Sequence, residues 1–333
     1  MSKPQQLPCV QFELEKLPVE TILNIFSFLD IRNLLKCGQV SSRIRAISND
    51  ESLWLKLNFY GGNIPYELVE KASENGCKYL SVAKVFLYYA PPPYKPLNLK
   101  YLAMSDLVNY YTNKTIHKEV LKNCRSLEEL SLSRATGDVD TIENIGRNAQ
   151  TLKVLNLGMH IFGNPINLIK AIQKLFKSCV ELNELKVDLF SPVLSLSGRL
   201  VTAIVNNLTL NIRKVDLIGS IHRDEHVKLL VERCNRITEL KLAFTSITQD
   251  SVDSIVTHLN LSLEKLDVSY TELDSTALLQ LRSVGTLKVL TCYFNFDDGE
   301  NNKNIEELKS LRKNLPQLSI NEKEFYIATS TKT

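Results

Sequence analysis

One phrase recurs along most of this chain and constrains its fold more than any other feature: apolar, two others, apolar, one other, apolar. It reads Leu99-Leu102-Met104, Leu127-Leu130-Leu132, Leu152-Leu155-Leu157 and Leu182-Leu185-Val187. It continues as Ile212-Val215-Leu217, Ile237-Leu240-Leu242, Leu263-Leu266-Val268 and Leu287-Leu290-Cys292, with a weaker copy at Leu315-Leu318-Ile320. Successive copies start 24 to 30 residues apart. A period in that range marks a stacked array, each unit burying its apolar face against its neighbours. The last two apolar positions of each phrase are two residues apart, so they share one face of a strand. Between the phrases the spacing turns helical: Val227, Leu230, Val231, Cys234 and Val252, Ile255, Val256, Leu259 fall at i, i+3, i+4, i+7. Ser and Asp in segments such as Thr248-Gln249-Asp250-Ser251 supply N-cap oxygens for these helices.

One strand and one helix per repeat resembles the leucine-rich repeat, which implies an α/β solenoid with a concave parallel sheet and convex helices. The cysteine-containing, long-repeat class is the best match. Cys124, Cys179 and Cys234 each stand three residues before a phrase, and Ile247-Thr248-Gln249-Asp250 resembles that class's loop. The position after the strand, where such repeats often carry Asn or Cys, is irregular here: Ala135, His160, Phe190, Ser220, Thr245, Thr271 and Asn295. An unbroken Asn ladder is therefore not expected.

Upstream, LPVETILNIFSFLDIRNLLKCGQVSSRIRAISNDESLWLKL (residues 17–57) reads as three short helices. Pro18 stands near the first start, followed by a broad apolar stripe of Ile22, Leu23, Ile25, Phe26 and Leu29. Asp30 can cap a second helix carrying Leu34 and Leu35, and Ser41 or Ser42 can start a third with Ile44 and Ile47 inside. Some forty residues bury little surface alone, so this unit needs a partner or the adjacent array. Leu17-Pro18, Glu20, Ile22-Leu23, Ile25-Phe26, Leu29, Leu34-Leu35, Val40-Ser41, Arg43 and Leu53-Trp54 resemble the F-box pattern in order and spacing. Together with the repeats, the chain resembles the F-box/leucine-rich-repeat family over nearly its whole length. One departure is Ile44, where that family usually has an aromatic residue.

The resemblance implies docking onto the Skp-type adaptor of a cullin-RING ubiquitin ligase. Leu17, Pro18, Ile22, Leu23, Ile25, Phe26, Leu29, Leu34, Leu35 and Trp54 are the expected adaptor contacts. The repeats would then hold a target protein for ubiquitin-dependent proteasomal degradation. The alternative is a non-degradative scaffold acting outside a cullin complex. The expected layout is a flexible N-terminus over 1–15, the F-box over 16–57 and a helical, Pro-rich connector over 58–98. Eight to nine repeats over 99–321 and a tail over 322–333 complete it. Tyr66, Leu68, Val69 and Ala72 would pack the connector onto the first repeats, and Pro91-Pro92-Pro93 would hold it extended.

In-register strands would project a checkerboard from the open face. One column runs Glu184, Lys214, Glu239, Lys265 and the next Lys186, Asp216, Lys241, Asp267. This is either a self-neutralising surface or a charge-patterned target site. Lysines flanked by carboxylates make a directly bound phosphorylated segment unexpected there. Candidate target contacts are Asn156, Lys186, Asp216, Lys241, Asp267, Thr291 and Tyr293, with Phe162, Phe190, Phe294 and Phe296 along one edge. Two 30-residue spacings place extra residues near Met159–Ile166 and Leu189–Ser197, on a possible binding edge.

Catalytic chemistry is absent from the pattern. His222 and His226 are spaced i, i+4 but lack a third ligand, and no HExxH, GxxxxGK[ST], GxGxxG or GxSxG motif is present. The 55-residue spacing of Cys124, Cys179 and Cys234 is two repeats, which reads as buried packing rather than chemistry. Neither an enzyme nor a cofactor, metal or small-molecule ligand is expected. Lys and Arg number 40 against 37 Asp and Glu, too small a surplus for a nucleic-acid partner. No stretch has the length of a signal peptide's apolar run or a membrane span. Seven cysteines without CxxC spacing suit a reducing compartment, hence cytoplasm or nucleus.

Overall fold

A computed structural model describes residues 14–88, 95–105, 116–188, 194–217, 219, 223–293 and 309–321. It opens with four helices, α1 (Val19–Phe26), α2 (Ile31–Cys37), α3 (Ser42–Ser48) and α4 (Glu51–Trp54). Their starts are fixed by caps. Asp30 accepts from the Asn33 N–H at 2.8 Å, Ser41 Oγ from Ile44 at 3.3 Å, and Asp50 from Ser52 at 3.0 Å. Each cap satisfies an N–H that lacks an intrahelical partner and stabilises by about 1 kcal/mol.

Helix α4 feeds directly into β1 (Lys56–Tyr60). After it come β2 (Asn63–Pro65), α5 (Tyr66–Glu74), β3 (Tyr79–Ala83), β4 (Phe86–Tyr88) and β5 (Tyr101–Ser105). Then α6 (Ile116–Asn123), β6 (Glu129–Gly137), α7 (Val139–Gly146), β7 (Val154–Ile161), α8 (Pro165–Ser178), β8 (Glu184–Val187) and α9 (Leu194–Asn207) follow. The array continues through β9 (Lys214–Asp216), α10 (Asp224–Arg233), β10 (Glu239–Lys241), α11 (Gln249–Leu259), β11 (Lys265–Asp267) and α12 (Ser275–Leu279). β12 (Val289–Thr291) and β13 (Ser319–Asn321) close the described part. Eleven strands make one sheet in the order β1-β3-β5-β6-β7-β8-β9-β10-β11-β12-β13, each neighbouring pair parallel, while β2 and β4 pair separately.

The eleven strands exceed the nine phrases because the connector expected over 58–98 is part of the array. Trp54-Leu57-Phe59 and Cys77-Leu80-Val82 are two further copies of the phrase, each position buried. They start 23 and 22 residues before the next copy, shorter than any other spacing, and an opening Trp and Cys disguise them. Physical continuity is visible in the backbone. The Leu55 carbonyl accepts from both the Lys78 and Tyr79 N–H groups, at 3.0 and 3.1 Å. Lys78, Lys100, Glu128, Lys153, Asn183, Arg213, Thr238 and Glu264 carbonyls repeat that pairing, one repeat after another. The C-terminal end of α4 is thus the first rung of a ladder that reaches β12. One contiguous apolar core runs from Ile22 to Ile320.

The 30-residue spacing that starts at Leu152 is taken up largely within regular structure. β6 and β7 pair out to Gly137 and Ile161, past a register shift between Ser133 and Ala135, and α8 has 14 residues. At the irregular post-strand position, the Thr245 and Thr271 hydroxyls donate to the Leu242 and Val268 carbonyls at 2.5 and 2.7 Å. The threonines close their own turns, so no side-chain ladder is needed there. Phe190, Ser220 and Asn295, the N-terminal 1–13 segment, Pro91-Pro92-Pro93 and the 322–333 tail lie outside the described residues. Burial raises the Cys124 and Cys179 thiols to about 12 and the Cys77 and Cys234 thiols to about 11. Protonated and enclosed, they pack as small hydrophobes. Among the described residues no helix is long and apolar enough to cross a membrane.

Candidate protein-interaction site

Helix α1 carries more apolar residues than one face can hide, so its stripe splits. Ile22 and Phe26 turn inward, meeting Leu34, Ile44 and Ile47 from α2 and α3. Leu17, Leu23, Leu29 and Leu35 are half-buried at the margin of this core, and Pro18 and Ile25 are exposed. Arg43 ties the unit together, donating from Nη2 to the Leu17 carbonyl at 2.9 Å.

Four residues expected to touch an adaptor therefore do not face outward. Ile22, Phe26, Leu34 and Trp54 are at most 2% exposed. Trp54 has a structural reason: its ring occupies the first phrase position of the array, and its Nε1–H donates to the Ser48 carbonyl at 2.7 Å. Ile44 is also enclosed, so its departure from an aromatic residue alters packing inside the unit rather than an outer contact.

The outward apolar surface comprises Val19, Ile25, Phe28 and Val40, with Phe28 83% and Val40 73% exposed. Phe28 was not singled out from the sequence, and Val40 entered only through the F-box pattern and not as an expected contact, because each lies just past a helix end, in the turns after α1 and α2. Periodicity is undefined at such positions. Their signal is chemical: a phenyl ring between Ser27 and Leu29 and a valine between Gln39 and Ser41, both in turns where polar residues are ordinary. Several large apolar side chains left in water by one small unit mark a protein contact surface.

The second surface is the face of the sheet opposite the helices. Asn156, Lys186, Asp216, Lys241, Asp267 and Thr291 form one unbroken row across six strands, β7 to β12. Tyr293 follows two residues beyond Thr291, its N–H donating to Ser269 Oγ at 3.1 Å. The flanking row is Glu184, Lys214, Glu239 and Lys265, in register as the checkerboard requires. Ion pairs neutralise much of it: Lys214–Glu184 at 3.0 Å, Lys186–Asp216 at 3.4 Å and Lys265–Glu239 at 3.6 Å. Lys241 turns to Glu239 on its own strand at 3.3 Å, while Asp267 accepts from the Ser269 N–H and hydroxyl. The central face holds a shallow hollow of about 230 Å³ over β8 to β10.

The end nearest the helices is different in kind. There the open face presents Tyr60, Ala103 and Ser131 beside a hollow of about 360 Å³ lined by Tyr79, Tyr101, Asn58 and Ser81, with Lys56 and Glu129. Sequence reasoning missed Tyr60 and Tyr79 because it assigned their segment to a connector, for which Cys77-Leu80-Val82 was the available signal; Tyr101 lies inside the first recognised phrase but was not singled out. Phe162 is exposed beyond β7, whereas Phe190, Phe294, Phe296 and His222 lie outside the described residues. His226 is buried in packing: Nδ1 accepts from the Arg223 N–H at 3.2 Å and Nε2 lies 3.2 Å from the Gly198 carbonyl. Among the described residues no cluster of three or more His, Cys, Asp or Glu side chains could hold a metal ion.

Comparison with known proteins bears on the first surface. Residues 14–60 match the F-box-like family, a stretch that ends where β1 ends. The F-box protein dre-1 of Caenorhabditis elegans is 42% identical over 57 residues, 16% of this chain and 6% of that protein. F-box/WD repeat-containing protein 8 of Homo sapiens is 42% identical over 50 residues, 15% of this chain and 8% of the relative. Its Mus musculus counterpart is 39% identical over 61 residues, 18% and 10%. The similarity thus spans a tenth or less of these relatives' lengths. Residues 14–60 are an F-box-like domain, and the parallel strand–helix array that follows begins inside it.

Proposed function

We propose that this chain is the substrate-recognition subunit of an SCF-type ubiquitin ligase. Its F-box-like domain docks on a Skp-type adaptor, and its array, read as leucine-rich repeats, presents a target protein for ubiquitin transfer and proteasomal degradation. ESLW at 51–54 and the ending LPQLSIN at 315–321 resemble the S-phase kinase-associated F-box receptor within that class. The observation that carries the reading is the exposed Val19, Ile25, Phe28 and Val40 surface on a domain whose family match covers it.

The adaptor contact is then made by those four side chains with Leu17 and Pro18 at the edge, over a scaffold held by Ile22, Phe26 and Leu34. Because α4 and β1 share the Leu55 rung, the docking surface and the open face are joined without a hinge loop. A receptor of this kind contributes placement rather than catalysis, since a rigid link fixes the effective concentration of target near the transferring enzyme. Affinity purification with quantitative mass spectrometry, with and without proteasome inhibition, tests the reading. Bound proteins that accumulate on inhibition, and fail to do so when Phe28→Ser and Val40→Ser are combined, are expected. Partners unchanged by inhibition favour the non-degradative scaffold.

A further inference from the structure

Where the strands turn out of the sheet, the residue after the last open-face position recurrently has a positive φ. Gly61, Lys84, Arg134, Gly219, Phe244 and Tyr270 hold φ of 67°, 53°, 52°, 121°, 59° and 56°. Glycine enters this left-handed region freely, whereas a side chain pays for it and a bulky ring is the least suited. Two consecutive repeats nevertheless place aromatic residues there. The Phe244 and Tyr270 rings are stacked, with centroids 4.2 Å apart and planes within 10°. Strained, solvent-facing aromatic residues held in place by the surrounding fold point to use rather than to stability.

The stack has a direction. The Gly219, Phe244 and Tyr270 N–H groups donate to the Ala243, Ser269 and Tyr293 carbonyls of the next repeat, so these slots lie side by side. Since the two rings stack across neighbouring strands, the far face of Phe244 is turned toward the preceding slot, which is Gly219. Phe244 is 52% exposed. Among the described residues, a β-carbon on Gly219 would come within 4 Å of Asp188 Oδ1 alone, at 3.5 Å. A flat group seated over Gly219 therefore lies one strand spacing, about 4.8 Å, from the phenyl ring and within hydrogen-bond reach of a carboxylate. Asp188 makes no ion pair among the described residues, because the nearby Lys186, Lys214 and Lys241 are drawn to Asp216, Glu184 and Glu239.

We infer that the gap over Gly219, between Phe244 and Asp188, receives an arginine side chain of the partner protein that binds the open face. This rests on the reading of the repeats as the target-binding part. A guanidinium is the permanently charged side chain that stacks flat on a ring while its edge donates more than one N–H to a carboxylate. A lysine ammonium meets the carboxylate but gains less from the ring. The carboxylates elsewhere on these strands are engaged by lysines or, at Asp267, by Ser269, which leaves Asp188 as the acceptor beside the ring.

The test titrates the full chain with acetyl-Gly-Arg-Gly-amide, its lysine analogue and its neutral citrulline analogue, read by saturation-transfer NMR. Phe244→Gly and Asp188→Asn are the variants; glycine suits the φ at 244, and circular dichroism checks that both fold. Saturable binding of the arginine peptide is expected, at least fivefold weaker in either variant and at least fivefold weaker for the citrulline peptide. No saturable binding to the unaltered chain, equal binding by either variant, or equal binding of the citrulline or lysine peptide overturns the assignment. Capture of a purified Skp-type adaptor by the same samples separates the two readings. A sample that captures adaptor but ignores arginine removes this site alone; one that binds arginine but no adaptor removes the docking function alone.

Discussion

The outer surface of α1 to α3 and the open face of β8 to β11 are both built to meet water, and they do so in opposite ways. The helical surface leaves Phe28 and Val40 uncovered, while the sheet pairs its charges strand by strand. Covering an apolar side chain returns about 25 cal/mol per Å² of area removed from water. A surface ion pair contributes roughly 0–1 kcal/mol and resists being broken by an ill-matched partner. The first surface is therefore suited to affinity for one fixed partner. The second is suited to discrimination, with its binding strength left to features such as the tyrosines at the helical end and the aromatic slot where β8 to β11 turn out of the sheet.

That contrast breaks most visibly at Trp54, which belongs to both regions. Trp54→Ala should cost about 3–5 kcal/mol, as for a large buried side chain, and should destabilise the helices and the first repeats together. A thermal melt showing loss below about 1 kcal/mol would mean that the two regions are separate bodies. Next in size is the staple between repeats made by Asp224, which accepts from the Thr248 N–H at 2.8 Å, the Thr248 hydroxyl at 2.9 Å and the Ser251 hydroxyl at 2.5 Å. Asp224→Asn should cost about 1–3 kcal/mol in denaturant titration, in the range of hydrogen bonds to a charged group.

The same residue predicts a pH response. Burial pushes the Asp224 carboxyl up, but the Ser251 and Thr248 hydrogen bonds outweigh it and hold the group below its ordinary value. Glu128, gripped by Lys153 and Lys100, is held at about 2. A depressed folded pKa contributes stability at pH above the ordinary carboxylate range, and that stability is lost as pH falls through the folded value. Melting temperature should thus decline from about pH 4 toward pH 2, less steeply in Asp224→Asn; parallel slopes would remove Asp224 from this account. The smallest effect belongs to the checkerboard. Lys241→Gln should change stability by a few tenths of a kcal/mol, roughly the size of one cross-strand pair. If it also leaves target binding unchanged, the charged rows are solvated surface, and the tyrosines and the aromatic slot carry recognition.

Much of this architecture was legible in the letters because its period is regular. Nine phrases located nine of the eleven strands in the sheet, and two-residue alternation placed Asn156, Lys186, Asp216, Lys241, Asp267 and Thr291 on one face. The first three F-box-like helices and the Asp30 and Ser41 caps were equally readable, since a cap is a local event set by one side chain; the fourth, Glu51–Trp54, is a single turn and was not read. Tertiary allocation was harder. Nothing in a helical stripe says which of Ile22, Ile25, Phe26 and Phe28 the neighbouring helices will cover, and Trp54 satisfies two patterns at once. The two short repeats were hidden because Trp54 stands inside the helical segment and Cys77 opens a phrase with a residue seldom counted as apolar. Positive φ at Phe244 and Tyr270 has no sequence mark, as Gly, Lys, Arg, Phe and Tyr each hold the slot in one repeat or another.

The central claim is that the turns after α1 and α2 carry the docking energy while the buried residues beside them only hold the fold. Isothermal titration of the full chain with a purified Skp-type adaptor measures it directly, comparing the unaltered chain with Phe28→Ser combined with Val40→Ser. One-to-one binding is expected, weakened by about 2–4 kcal/mol in the double variant, the size of interface hot spots, with an unchanged melting temperature. Absence of binding by the unaltered chain, or equal affinity in the folded double variant, would contradict it.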